Sequence, residues 1–279
     1  MRLLSSRRLA GALTVVGSIS AALIAPAVHS QAATPSDDVV AATLPTRLAA
    51  ASAYAATRPG TTGIVVTDRR TGITLVNNYA DTPVWTASTI KLGIAEDLLQ
   101  RNRSGAIHLT AADRAEMHQM LNSSDDAATD QLWFRYAGAD HEAFNRDLRD
   151  FGMIELAPQR GFTNFFPYWG FQKDTPRDLA SLVGYVLDRV PAADRDYLVG
   201  EMRGVAADQR WGILALPGSL RPGNKNGWSD EQGGSVINTI GFAGDNQRFI
   251  VSIMNSLRGQ GNQADGRITV SQVARDLLA

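Results

Sequence analysis

The sequence predicts an α/β fold of two lobes, an antiparallel sheet flanked by N- and C-terminal helices plus an all-helical lobe. Three observations carry this. Strand-like runs occur only near the two ends of the body of the chain, helical periodicity fills its middle, and the last amphipathic stretch follows directly on the final strands. A sheet assembled from both ends with a helical insertion between them satisfies that order.

The first 32 residues contain Arg2, Arg7 and Arg8, then the uncharged run from Leu9 to Val28 and the small residues Ser30 and Ala32 around Gln31. They read as a secretory signal peptide, and Gly11, Gly17 and Pro26 dilute the run as a membrane span. Removing them takes away three Arg and no acid, leaving 24 basic and 28 acidic residues, a formal charge of −4. No nucleic-acid partner is expected from that balance, nor a stable membrane span after removal of the signal. The chain has no cysteine, so a lipoprotein anchor on cysteine is not expected. The fold must also stand without disulfides, which about 245 residues can do by core burial alone.

Residues 33–44 are expected to be a linker, and residues 45–279 one domain. Pro45 is expected to open a helix through Thr57. Gly63 to Asp68 and Ile73 to Val76, joined by the turn residues Arg69 to Gly72, form a hairpin. Apolar residues Ile90, Ile94 and Leu98 give helical spacing from Ser88 to Gly105. Thr110 with Asp113 caps a second helix, a third runs from about Asp125 to Tyr136, and a fourth from Asp140 to Phe151. Gly152 to Lys173 is a long aromatic-rich irregular segment (Phe162, Phe165, Phe166, Tyr168, Trp169, Phe171), of the kind that usually serves function. Thr175-Pro176 starts a helix, another spans Ala192 to Met202, Ser235 to Phe242 and Gln247 to Asn255 are strands, and Arg267 to Leu278 closes the chain as a helix. This places the α/β lobe at about 45–87 and 205–279 and the helical lobe at about 88–204, with a site in the cleft between them.

Only three of the 27 basic residues are lysines, Lys91, Lys173 and Lys225. Lys91 closes Ser88-Thr89-Ile90-Lys91. Ser and Lys at i and i+3 share a helix face, so a neutral amine could take the hydroxyl proton; a capping serine with an exposed lysine is the other reading. Ser124-Asp125-Asp126 follows, and then Lys225-Asn226-Gly227-Trp228 before the final strands. His141-Glu142 lacks the second histidine of a zinc helix, so no metal or other cofactor is expected. The absence of Gly-x-Ser-x-Gly argues against a nucleophile elbow, and His108 and His118 read as surface or packing residues.

In this order the three segments resemble Ser-x-x-Lys, Ser-Asp-Asn and Lys-Thr-Gly of the serine β-lactamase and penicillin-binding protein superfamily, closest to class A β-lactamases, from about Pro45 to Leu278. Thr86 to Leu92 after a hairpin and Asp174 to Arg177 at the exit of a long loop fit the same pattern. The resemblance implies a serine β-lactamase/DD-peptidase-like fold and an exported serine hydrolase, secreted or in the cell envelope. Its substrate would be a β-lactam, a peptidoglycan-like amide or an ester. It also implies Ser88 as acylated nucleophile, Lys91 as base or relay, and Ser124 as proton donor to the leaving group. Lys225 would hold a substrate carboxylate, Asn226 stand where the family has a hydroxyl, and Asp126 where it has Asn. The backbone N–H groups of Ser88 and Trp228, past Gly227, would form the oxyanion hole.

The chain departs from the family in its long loop. No acid lies between Glu155 and Asp174, where class A enzymes carry the deacylating glutamate, and Asp130 falls where they have a supporting Asn. An acyl-enzyme should therefore persist. The 36 residues from Ser88 to Ser124 are fewer than in the family, which predicts a more open cleft. The loop aromatics either pack onto the helical lobe or offer an apolar surface to a ligand. A non-catalytic binding protein that retains the cleft, and an esterase or DD-peptidase, remain alternatives.

Overall fold

The computed structural model describes residues 35–161, 163–230 and 234–279; the segment expected to be a signal peptide and Phe162 lie outside them. A five-stranded antiparallel sheet has the order β2-β1-β8-β7-β6, from β1 (Thr61–Asp68), β2 (Ile73–Val76), β6 (Gly223–Ser229), β7 (Val236–Ala243) and β8 (Phe249–Ser256). The N-terminal hairpin adds to the edge of the C-terminal strands through β1 on β8, Thr61 facing Ser256 and Asp68 facing Phe249. Three short strands, β3 (Val84–Trp85), β4 (Ala157–Pro158) and β5 (Gln172–Asp174), make a second small sheet that ties the long loop to the segment entering Ser88.

Strand alternation divides the core in two. Ile64, Val66, Ile237, Ala243, Phe249, Val251 and Ile253 pack against α1 (Asp37–Ala56) and α8 (Gln263–Leu278). Val65, Ile240, Phe242, Ile250 and Met254 turn to the other side, into one core with α2 (Lys91–Arg103) and α6 (Pro176–Asp188). The remaining helices are α3 (Ala111–Asn122), α4 (Asp126–Tyr136), α5 (Ala143–Asp150) and α7 (Ala192–Arg203). Thr110 and Asp113 form the capping box read from the sequence, and Thr175 caps α6 by accepting the Asp178 N–H.

Helix α1 begins eight residues before Pro45 and holds that proline in its interior, where the sequence suggested a linker. An interior proline costs about 3 kcal/mol because it removes one backbone bond and crowds the preceding turn. Tertiary contacts offset this. Val40 and Leu44 are buried, Asp37 accepts the Asp245 N–H at 2.8 Å, and Asp38 meets Arg248 at 2.5 Å. Helix α8 likewise starts earlier than expected, at a capping box of Asn262 and Asp265, and α5 is shorter than expected.

Among the described residues, three carboxyls are buried with one oxygen lacking a hydrogen-bond partner: Glu96, Asp97 and Asp174. Burial raises Glu96 to about 7 and Asp97 and Asp174 to about 8, with Asp147 beside Asp97 and Asp178 beside Asp174 adding to the rise. Because these folded-state values lie above the unfolded ones, the stability they contribute is complete near pH 4 and is lost as pH rises through 7 to 8. Melting temperature is expected to fall between pH 5.5 and 8.5, and less steeply in Asp97→Asn. A flat profile across that window in calorimetry would contradict the assignment.

Candidate active site

Ser88 lies in a 3-10 turn, Ala87–Ile90, and α2 starts only at Lys91, one turn later than periodicity suggested. Ala87, just before Ser88, has φ 46°, and Ser124 has φ 62°. Left-handed backbone at non-glycine residues costs about 1–3 kcal/mol and concentrates at functional sites. Of the two motif hydroxyls, Ser124 therefore sits on strained backbone and Ser88 directly follows a strained residue.

Lys91 is fully buried, which removes the reading of an exposed lysine beside a capping serine. Its Nζ donates to Asp126 Oδ1 at 2.5 Å and to the Ser124 carbonyl at 2.8 Å, and lies 3.5 Å from Ser124 Oγ. The ring of Trp169 covers it at 4.5 Å. Among the described residues no hydrogen bond joins the Lys91 amine to Ser88. Burial lowers the Lys91 pKa from its ordinary value, while Asp126, then Asp125 and Asp130, pull it back up. The Asp126 side chain is 72% exposed, so solvent weakens its share.

Lys225 and Gly227 lie inside strand β6, not ahead of the strands. The absent Cβ of Gly227 explains how close this strand comes: it would stand 2.8 Å from the backbone nitrogens of Ser88 and Thr89 and 2.9 Å from the Thr86 oxygen. Lys225, two residues away, projects on that same face. Its Nζ lies 2.9 Å from Ser124 Oγ and donates to the Asn226 carbonyl at 2.9 Å. With 1% exposure it is buried beside Ser124. Burial, followed by the Lys91 cation, takes its pKa well below the ordinary lysine value.

Asn226 is buried as well. Strand alternation turns it to the far face, where its amide donates to the Gln209 carbonyl at 2.7 Å and accepts from Asn224 at 2.9 Å. It anchors β6 rather than facing substrate. Trp228 does line the cleft, braced by Arg267, whose guanidinium lies 5.1 Å from the rings of both Trp228 and Trp211.

The cleft has a volume of about 210 Å³ and is bounded by Ser88, Asp126, Tyr168, Trp169, Phe171 and Trp228. Aromatic rings make up much of its wall. The loop aromatics fill both roles left open by the sequence. Phe165 packs on Phe134 and His141, while Tyr168, Trp169 and Phe171 wall the site. Asp130 holds that wall, accepting from Tyr168 Oη and Trp169 Nε1, each at 2.7 Å. The sequence flagged the aromatics and Asp130 separately; Trp169 over Lys91 was not anticipated, since nothing local links them. Lys173 is in β5, its amine 4.6 Å from the Trp85 ring, and His118 is exposed beside Glu201.

The fold is that of class A β-lactamases. The chain superposes on a β-lactamase from Xanthomonas campestris pv. campestris with a TM-score of 0.69 at 20% identity, covering 86% of this chain and 97% of that one. For a β-lactamase from Sphaerobacter thermophilus the values are 0.67 and 21%, covering 84% and 96%, and for an ancestral class A β-lactamase 0.67 and 20%, covering 84% and 98%. No family model matches the sequence. The chain belongs to the family of the mycobacterial proteins named "Putative lipoprotein LppW". It is 30% identical to those of Mycobacterium bovis and Mycobacterium tuberculosis over 249 residues, 84% of this chain and 75% of theirs.

Proposed function

We propose that the protein is an exported serine acyl-transfer hydrolase of the cell envelope, in which Ser88 attacks a β-lactam or a peptidoglycan-type amide or ester and retains the acyl group. The observation that carries this reading is the convergence of two buried lysine amines on the Ser124 hydroxyl, together with Ser88 at the wall of a cleft and left-handed backbone at Ala87 and Ser124. The envelope location rests on the lipoprotein name of the relatives and on the N-terminal sequence.

Among the cleft-lining residues the only carboxylate is Asp126, which is bound to Lys91. A water at the acyl carbon then lacks a free general base, worth typically 10²- to 10⁴-fold, so the acyl-enzyme should decay slowly. Intact-mass time courses with a penicillin test this. A single adduct that persists for hours in the parent and is absent from Ser88→Ala is expected, and a folded parent that never forms an adduct with penicillins, cephalosporins or simple activated esters would sink it. Rapid turnover of esters but not of β-lactams would mark the esterase alternative.

One observation favours a second reading, a non-catalytic binding protein: the Lys91 amine is held by Asp126 and not by Ser88. Reversible binding of a peptidoglycan stem peptide that survives Ser88→Ala, with no adduct in the parent, would support it.

A further inference from the structure

We propose that Lys225, acting through Ser124, takes up the Ser88 proton during acylation, and that Lys91 remains an ammonium throughout. This rests on the acyl-transfer reading above and assigns its proton path.

The neighbours of the two amines differ in kind. Lys91 Nζ meets a carboxylate, a carbonyl oxygen and the face of an indole, which favour a cation and offer no proton, and the Ser124 hydroxyl lies farther off at 3.5 Å. Lys225 Nζ meets one carbonyl oxygen and the Ser124 hydroxyl, and no ion pair to it occurs among the described residues. A neutral amine fits there, donating to Asn226 O and accepting from Ser124 O–H.

Both amines lie within 3.5 Å of the same Ser124 oxygen and both are buried. Two uncompensated charges so close are costly, and the single touching carboxylate belongs to Lys91. The charged groups facing Lys225 are Lys91 from α2, Asp126 from α4 and Asp208 from the turn that precedes β6; the two acids oppose the loss of charge, while burial and Lys91 outweigh them.

The step balances without any further reactant. The Ser88 Oγ–acyl carbon bond forms as the Ser88 proton moves to Ser124 Oγ and the Ser124 proton moves to Lys225 Nζ. When the carbon–nitrogen bond breaks, the leaving nitrogen takes a proton from Ser124, which regains one from Lys225. Lys225 is a proton-holding residue behind Ser124 and does not touch substrate.

The scarcity of lysine makes the test direct. Carbon-13 labelling at lysine Cε gives three signals, of which Lys173→Arg and Lys225→Arg identify two by deletion. Lys225 is expected to carry the neutral shift at pH 7.5 while Lys91 keeps the ammonium shift beyond pH 9. A charged Lys225 at pH 8.5, or a neutral Lys91 at pH 7.5, overturns the assignment. In Lys225→Arg, verified as folded, Ser88 acylation by a penicillin is expected to fall about 100-fold or more, with the acidic limb of its pH profile gone. An unchanged limb also overturns it. No adduct in the parent would remove the acyl-transfer reading and with it the proton path; an adduct together with a charged Lys225 removes only the path.

Discussion

Gly227→Ala is expected to abolish Ser88 acylation, lowering its rate about 100-fold or more, the scale on which small misplacements of reacting groups act. The added methyl would meet three backbone atoms, the nitrogens of Ser88 and Thr89 and the oxygen of Thr86, all within 2.9 Å. No side chain can swing aside there, so either β6 or the Ser88 turn must move. The motion separates Lys225 from Ser124 or tilts the Ser88 N–H. Overpacking of this kind costs about 1–3 kcal/mol, or roughly 3–10 °C in melting temperature for a domain of this size. Acylation rates within threefold of the parent would show that the strand and the turn are not coupled as described.

Trp133→Ala is expected to have the largest effect on stability. Trp133 is fully buried, stacked on Phe144 with centroids 4.5 Å apart, and its Nε1 donates to the Pro167 carbonyl at 3.2 Å. Truncating a buried tryptophan costs about 3–5 kcal/mol, and here roughly 10–15 °C in melting temperature. The same helix also holds the loop through Asp130, so loosening it frees the wall formed by Tyr168 and Trp169. Trp133→Phe keeps the stack and loses the hydrogen bond, worth about 0.5–1.5 kcal/mol. Calorimetry of both variants separates packing from hydrogen bonding. A loss below 3 °C in Trp133→Ala would show that the loop is held elsewhere.

Much of the fold was legible because its signals are local. Caps such as Thr110 with Asp113 and Thr175 with Asp178 act within one turn, and the period of apolar residues states helix or strand without reference to partners. Where local and tertiary effects compete, reading the sequence fell short. Pro45 looks like a helix start, yet buried Val40 and Leu44, the hydrogen bond from the Asp245 N–H to Asp37 and the ion pair of Asp38 with Arg248 let α1 begin before it. Lys225-Asn226-Gly227 reads as lying ahead of the final strands, yet the pairing of Lys225 with Ile240 and Gly227 with Asn238 makes it part of one.

The sequence by itself determined the class of fold, the order of the three motifs and the lack of an acid in the loop, since each depends only on residue identity and spacing. Tertiary structure alone decided the charge arrangement. Lys91 and Lys225 are 134 residues apart in sequence, yet they converge on one hydroxyl, Asp126 approaches only the first, and Trp169 closes over it. Whether a lysine is an acid or a base depends on its burial and on the charges within a few ångströms, and spacing along a chain carries no record of those distances.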